Sequence, residues 1–271
     1  MKIAFPGGDE RTLIAAERFA QEGAECVLTG FDEINRPENA ALTFTETTGE
    51  CVKGADAALL PFPSFREGFL NAPMTAKRIP EAEIMNACEG IVTLGTDDYS
   101  KDGIFLAENA LLTAEAALAI LISNTGVSVS GSRFVVAGYG RIGKALTRMI
   151  TRLNGKATVA ARSGEQRIAA LSSGAEAAGF DGIEAPLTRA DAVINTVPQR
   201  VFGKRELCAV RKGVPFIELA SRPGGADGGE VVAAGLKYLP SPGLPGKYSP
   251  VSAGEALFRC AKRILLERGS L

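Results

Sequence analysis

The chain has 271 residues, 46% of them hydrophobic, and its 30 basic residues nearly match its 31 acidic ones. That length suits two domains with full cores, and the even balance, with no basic block, gives nucleic-acid or anionic-membrane binding no compositional support. The chain contains no histidine, which excludes His-based acid–base chemistry, a Ser-His-Asp triad and His-ligated metals, so no metal site is expected.

A short apolar strand is predicted at residues 2–5, followed by the turn Gly7-Gly8-Asp9. A helix is predicted over 10–21, with Leu13, Ala16, Phe19 and Ala20 at helical spacing. The glycine turn at this helix N-terminus suits an anion site that includes Asp9 and Arg11. Asp9 as a plain N-cap fits equally well. Further strands are predicted at 26–29, 57–61 and 90–94. Pro61-Phe62-Pro63-Ser64-Phe65-Arg66 reads as loop at a strand's carboxyl end, where open α/β sheets bind ligands. Residues 109–123 read as a strongly apolar helix joining two domains, with Glu115 its only charge. Facing inward, Glu115 would be a buried carboxylate of raised pKa and a catalytic candidate; facing outward, it is a solvated charge. Asn124-Thr125-Gly126 ends that helix. No apolar run is expected to reach the roughly 18–20 residues that span a bilayer. The N-terminal apolar run is too short for a signal peptide, and a cytoplasmic protein is expected. The five cysteines are scattered without a C-x-x-C pair, as reduced and partly buried thiols would be.

The second half opens on its most specific motif. An apolar stretch, residues 133–137, runs into Gly138-Tyr139-Gly140-Arg141-Ile142-Gly143 and an amphipathic helix carrying Ile142, Leu146, Met149 and Ile150. Strand, G-x-G-x-x-G and helix together are the dinucleotide-binding fingerprint. Gly138 permits the turn, Gly140 lets a pyrophosphate approach the backbone, and Gly143 lets helix pack on strand. The next strand, 157–161, ends in Arg162-Ser163, about 20 residues on, where NAD-binding folds carry an acidic residue. A cation and a hydroxyl there suit a 2′-phosphate, hence NADP(H). Ser163-x-x-Gln166 also fits a capping box, and Arg162 then has only solvent to meet.

Three more strands are predicted at 191–195, 215–219 and 237–239, each ending in an unusual loop. Asn195-Thr196-Val197-Pro198 falls where the nicotinamide half of a cofactor lies, or is an ordinary strand-ending turn. In Ser221-Arg222-Pro223-Gly224-Gly225, Arg222 offers a planar fork suited to a carboxylate; a salt bridge to Asp227 or Glu218 is the alternative. Ser221, Gly224 and Gly225 are substrate-facing candidates beside it. The loop Ser241-Pro242-Gly243-Leu244-Pro245-Gly246-Lys247 adds Gly243, and Lys247 as a second cation, an acid–base group or a solvated lysine. A C-terminal amphipathic helix over 252–267 is expected to return to the first domain. The fold class expected is α/β, with two doubly wound parallel-sheet domains, the second a Rossmann fold, arranged as in two-domain 2-hydroxy-acid dehydrogenases. The expected divisions are residues 1–112 with 250–271, and residues 113–249.

Gly7-Gly8-Asp9, the Gly138–Gly143 turn, Ala161-Arg162-Ser163, Asn195-Thr196-Val197-Pro198, Ala220-Ser221-Arg222-Pro223-Gly224-Gly225 and Pro242-Gly243-Leu244-Pro245-Gly246 occur in an order that resembles the dipicolinate synthase A-subunit family of spore-forming bacteria. The resemblance runs nearly end to end, and the Ser-Arg-Pro-Gly-Gly and Pro-Gly-Leu-Pro-Gly loops are its specific part. Residues 62–78 and Ser249-Pro250-Val251-Ser252 depart from the family pattern. The resemblance implies NADP-linked oxidation of dihydrodipicolinate to dipicolinate in the mother-cell cytoplasm, with a flavoprotein-like B-subunit as partner. It implies cationic clamps for a dicarboxylate, for which Arg222 with Lys247 or Arg11 are the candidates. A homo-oligomer is compatible with it.

Overall fold

The structure, a computed structural model, describes residues 1–37 and 41–270. It divides into two compact units, Met1–Asn109 with Pro245–Leu271, and Ala110–Leu244. In the first, β1 (Lys2–Pro6), β2 (Glu25–Thr29), β3 (Leu42–Phe44) and β4 (Ala57–Leu59) precede a small antiparallel hairpin of β5 (Phe65–Arg66) and β6 (Phe69–Leu70), and β7 (Val92–Leu94) follows. The main sheet has the order β3-β2-β1-β4-β7 and is parallel throughout. Parallel sheets are covered on both faces, and Ile3, Ala4 and Phe5 are accordingly at most 1% exposed although they alternate faces. The hairpin occupies what the sequence reads as plain loop. Its Leu70 packs so close to Gly7 that a β-carbon there would lie 2.6 Å from Leu70 Cδ2, and Gly7 sits at φ +70°.

The helix Glu10–Gln21 and the C-terminal helix Pro250–Glu267 belong to this unit and share its core. Phe19 meets Phe258 edge-on at 4.7 Å, a geometry worth about 0.5–1.5 kcal/mol beyond burial. Gly254 permits their close approach, because a β-carbon there would lie 2.7 Å from Ile14 Cβ and 2.8 Å from Arg11 O.

The second unit holds β8 (Arg133–Ala137), β9 (Lys156–Ala160), β10 (Glu176–Ala178), β11 (Ala192–Asn195), β12 (Pro215–Glu218) and β13 (Lys237–Pro240). They form one parallel sheet, β10-β9-β8-β11-β12-β13. Numbered from β8, this is the order 3-2-1-4-5-6 of a Rossmann fold, and the order reverses between β8 and β11. One core cluster includes Val136, Leu146, Ile150 and Ile194; another includes Val135, Val193, Leu207 and Phe216.

The boundary between the units falls inside the helix Gly103–Thr125. This helix starts six residues before the predicted 109, where Asp102 Oδ1 accepts from Phe105 N at 2.8 Å. Contrary to expectation, it is long and apolar enough to cross a membrane by length and composition, with a mean hydropathy of 1.7 over its most apolar window. Ala114, Ala117 and Leu121 are nonetheless fully buried in protein. Glu115 lies on the exposed side, so the buried catalytic carboxylate anticipated at this position does not form. Four of the free cysteines, Cys26, Cys51, Cys88 and Cys260, are buried, and Cys208 is exposed.

Candidate functional site

The carboxyl edge of the six-stranded sheet gathers most of the predicted residues. Beyond β8 the chain turns through Gly138, at φ +93°, into the helix Arg141–Arg152, with Gly140 as its N-cap. Two of the three glycines are required by the protein's own atoms. A β-carbon on Gly138 would lie 2.4 Å from Thr196 Oγ1, and one on Gly143 would lie 2.2 Å from Gly138 O. Gly140 differs, since its φ is an ordinary −77° and a β-carbon there would meet nothing within 4 Å. The fold therefore does not demand glycine at 140. The helix start has no side-chain cap and no acidic residue in its first turn. The first N–H groups of a helix lack internal partners and carry its positive end. Here, around Arg141 and Ile142, they form a cradle that fits a pyrophosphate.

Tyr139 serves such a cradle only through its backbone. Its ring is 3% exposed in the core, and its hydroxyl bonds Ala169 O at 3.3 Å and Ser173 Oγ at 2.9 Å. Beyond β9, Arg162 is exposed and donates to Gln199 Oε1 at 2.7 Å. Ser163 is the N-cap of the helix Gly164–Ser172 but makes no side-chain cap bond, so the capping box does not form and its hydroxyl is not spent on the helix. Arg167 closes the turn beneath them, donating to Ala161 O at 2.8 Å and Arg162 O at 2.7 Å.

Asn195 and Thr196 turn out to be internal fasteners. Asn195 is fully buried; its Nδ2 donates to Val197 O at 2.9 Å and Glu218 Oε1 at 2.6 Å, and its Oδ1 accepts from Val197 N at 3.1 Å. Thr196 Oγ1 donates to Ala137 O at 2.7 Å. These bonds leave Val197 and the exposed Pro198 as the residues this loop presents.

Glu218, at the end of β12, organises the neighbouring loop. Besides Asn195, it accepts from Ala220 N at 2.9 Å and Gly225 N at 2.8 Å. Gly224, at φ +75°, lies against it, and a β-carbon there would sit 2.9 Å from Glu218 Oε2. Ser221 and Arg222 stand exposed at the loop's tip. Asp227 is drawn off elsewhere, capping the helix Gly228–Ala233 through Gly229 N and pairing with Arg200 at 3.3 Å. Burial pushes the Glu218 carboxyl above the ordinary glutamate range, against the opposing bonds from Asn195, Gly225, Ala220 and Ala226. An acid whose folded pKa is raised favours folding below its unfolded value of about 4.3 and loses that contribution as pH rises through the folded value. Relative to Glu218→Gln, the wild type is therefore expected to lose melting temperature as pH rises from about 4.3. Parallel melting curves against pH for the two proteins would contradict this.

In the first unit, Asp9 and Arg11 satisfy each other. Arg11 Nε and one terminal nitrogen each bond a different Asp9 oxygen at 2.8 Å, and Asp9 also caps the helix by accepting from Arg11 N. Gly246 closes over this pair, since a β-carbon there would lie 2.9 Å from Arg11 Nε. The N-cap alternative for Asp9 thus holds, and Arg11, 8% exposed, has much of its fork engaged. Lys247 is exposed on a short helix, Leu244–Tyr248, where the sequence suggests a constrained loop. Gly243 adopts φ +68° just before it.

Sequence reasoning did not assign a site role to Glu218, Gln199 or Arg167. For Glu218 a signal existed, because a carboxylate ending the otherwise apolar Pro-Phe-Ile-Glu strand must find partners if it is buried.

Comparison with known proteins agrees with this architecture. Residues 2–94 match the family described as the dipicolinate synthase A-subunit N-terminal domain. Residues 119–234 match the D-isomer specific 2-hydroxyacid dehydrogenase, NAD binding domain. The dipicolinate synthase A-subunit of Bacillus subtilis (strain 168) is 26% identical over 290 aligned positions, covering 98% of this chain and 96% of that protein. The crystal structure of the dipicolinate synthase A-subunit from Bacillus halodurans superposes with a TM-score of 0.84, at 24% identity over 97% of both chains. The crystal structure of its Bacillus subtilis counterpart gives 0.82, at 24% identity over 98% of this chain and 96% of that one.

Proposed function

We propose that this chain, which resembles the dipicolinate synthase A-subunit from end to end, binds NADP(H) and takes part in oxidising dihydrodipicolinate to dipicolinate in the cytoplasm, together with a second subunit. The observation that carries the nucleotide part is the Gly140 cradle, an open and uncapped helix N-terminus at the sheet's switch point. The Gly138–Gly143 turn would hold the pyrophosphate, and Val197 and Pro198 would border the nicotinamide. When bound, the cofactor accepts a hydride at its nicotinamide ring. Arg222 would hold a substrate carboxylate so that the ring carbon losing hydride faces the cofactor. The second hydrogen leaves as a proton to water, and aromatisation of the ring supplies the driving force. No histidine base is then needed.

Support for NADP over NAD comes from Arg162 and Ser163 at the end of β9. Replacing Arg162 by alanine should weaken NADP binding about tenfold, the loss of one charge-assisted contact, and leave NAD binding within about twofold. Titration by calorimetry checks this; equal losses for both dinucleotides, or none, would remove Arg162 from cofactor choice. The whole reading is tested by substrate-dependent formation of reduced nicotinamide.

A second reading, a nucleotide-binding subunit active only with its partner, draws on the engaged state of the Glu218 carboxylate. Both of its oxygens already accept hydrogen bonds from Asn195, Ala220 and Gly225, which commits them to the protein's own loops rather than to a substrate. Turnover by the isolated chain would eliminate this reading.

A further inference from the structure

Asn195 and Glu218 face each other in register at the ends of adjacent strands. Each ties down the loop that follows it, and a 2.6 Å bond joins them. Asn195 holds Val197 by both its N–H and its carbonyl. Glu218 holds both ends of the Ser221–Gly225 loop, through Ala220 N and Gly225 N. Gly225 is fixed on its other side as well, its carbonyl accepting from Val201 N at 2.9 Å and Phe202 N at 3.0 Å. It also lies flat on the Asn195 amide, where a β-carbon would come within 2.4 Å of Asn195 Cγ. The loop tip carrying Arg222 is thus suspended between two residues that one buried carboxylate holds.

We propose that Glu218 is a positioning residue that sets the place of Arg222, and that the Asn195–Glu218 pair fixes the spacing between the dinucleotide-facing and carboxylate-facing loops. This rests on the function proposed above. The chemistry of the pair is specific. Both Glu218 oxygens face N–H donors, so a glutamine must turn its NH2 toward at least one of them and lose that bond. Asn195 reaches both loops, whereas Glu218 reaches only the Arg222 loop directly.

The two residues should therefore fail differently. In the full chain with its partner subunit, Glu218→Gln should raise the KM for the dicarboxylate about tenfold while leaving the dissociation constant for NADP within about twofold. Asn195→Ala should raise both. Gly225→Ala, whose β-carbon would press on the Asn195 amide, should reproduce the Asn195→Ala pattern. A merely structural role would instead lower melting temperature and weaken both ligands together in all three variants, and that outcome would overturn the proposal, as would unchanged kinetics in Glu218→Gln. Amide hydrogen exchange separates this from the functional reading, since it needs no turnover. The Ala220 and Gly225 amides should be protected in the wild type and exchange at least tenfold faster in Glu218→Gln, with the β8 and β11 amides unaffected. If exchange changes in this way but no dihydropyridine dicarboxylate is turned over, the latch stands and the substrate assignment falls. If exchange at those amides is unchanged, the latch itself is wrong.

Discussion

Replacing Arg222 by alanine should lower kcat/KM for dihydrodipicolinate by about 10- to 200-fold, the equivalent of losing one charge-assisted contact of about 1.5–3 kcal/mol. Folding should be nearly untouched. Arg222 is exposed, and the loop that carries it is held from below by Glu218 and from the side by Val201 and Phe202. A lysine should restore only part of the activity, because an ammonium keeps the charge but loses the two-pronged geometry. The check is steady-state kinetics alongside a thermal melt. Turnover within twofold of wild type would take Arg222 out of the substrate site, and a large fall in melting temperature would show that its part is structural.

The second large effect separates the glycines that the fold needs from Gly140, the glycine that the proposed dinucleotide would require. Gly143→Ala drives a methyl group to 2.2 Å from a backbone oxygen, a contact relieved only by pushing helix from strand. Overpacking of this kind costs about 1–3 kcal/mol or more. Gly140→Ala places its methyl group where no protein atom lies within 4 Å and requires no unusual φ. Its stability should stay within about 0.5 kcal/mol of wild type. Dinucleotide binding should nonetheless fall about tenfold or more, because the β-carbon occupies the space in which the pyrophosphate approaches the backbone. Urea unfolding and dinucleotide titration on the two variants check both halves. Full binding by Gly140→Ala would mean that the cradle is not where the dinucleotide sits.

Much of this was legible from residues alone because the signals were local. A G-x-G-x-x-G motif between an apolar strand and an amphipathic helix needs no long-range knowledge, and the regular alternation after it fixes a parallel sheet. What was not legible depended on partners distant in sequence. The strands Leu42–Phe44 and Glu176–Ala178 are three residues long, too short to show a period, and exist because a neighbouring strand offers an edge. The helix from Gly103 begins early through a cap by Asp102, whose carboxylate is held in turn by Arg263, 161 positions away. Asn195 looked like a cofactor contact because it ends the right strand. Its amide is consumed by Val197 and by Glu218, 23 residues on. Asp9 and Arg11, beside a glycine turn at a helix N-terminus, suit an anion site by sequence, but in the structure each engages the other. Where a side chain ends a strand was readable; whether its polar atoms are already engaged was not.

The most direct measurement is the reduced-nicotinamide absorbance that appears when this chain and its partner subunit are mixed with dihydrodipicolinate and NADP. The account predicts stoichiometric dipicolinate and reduced cofactor, with NADP preferred over NAD and the signal strongly reduced by Arg222→Ala. Dipicolinate formed without cofactor reduction, or no substrate-dependent reduction while NADP is demonstrably bound, would contradict it.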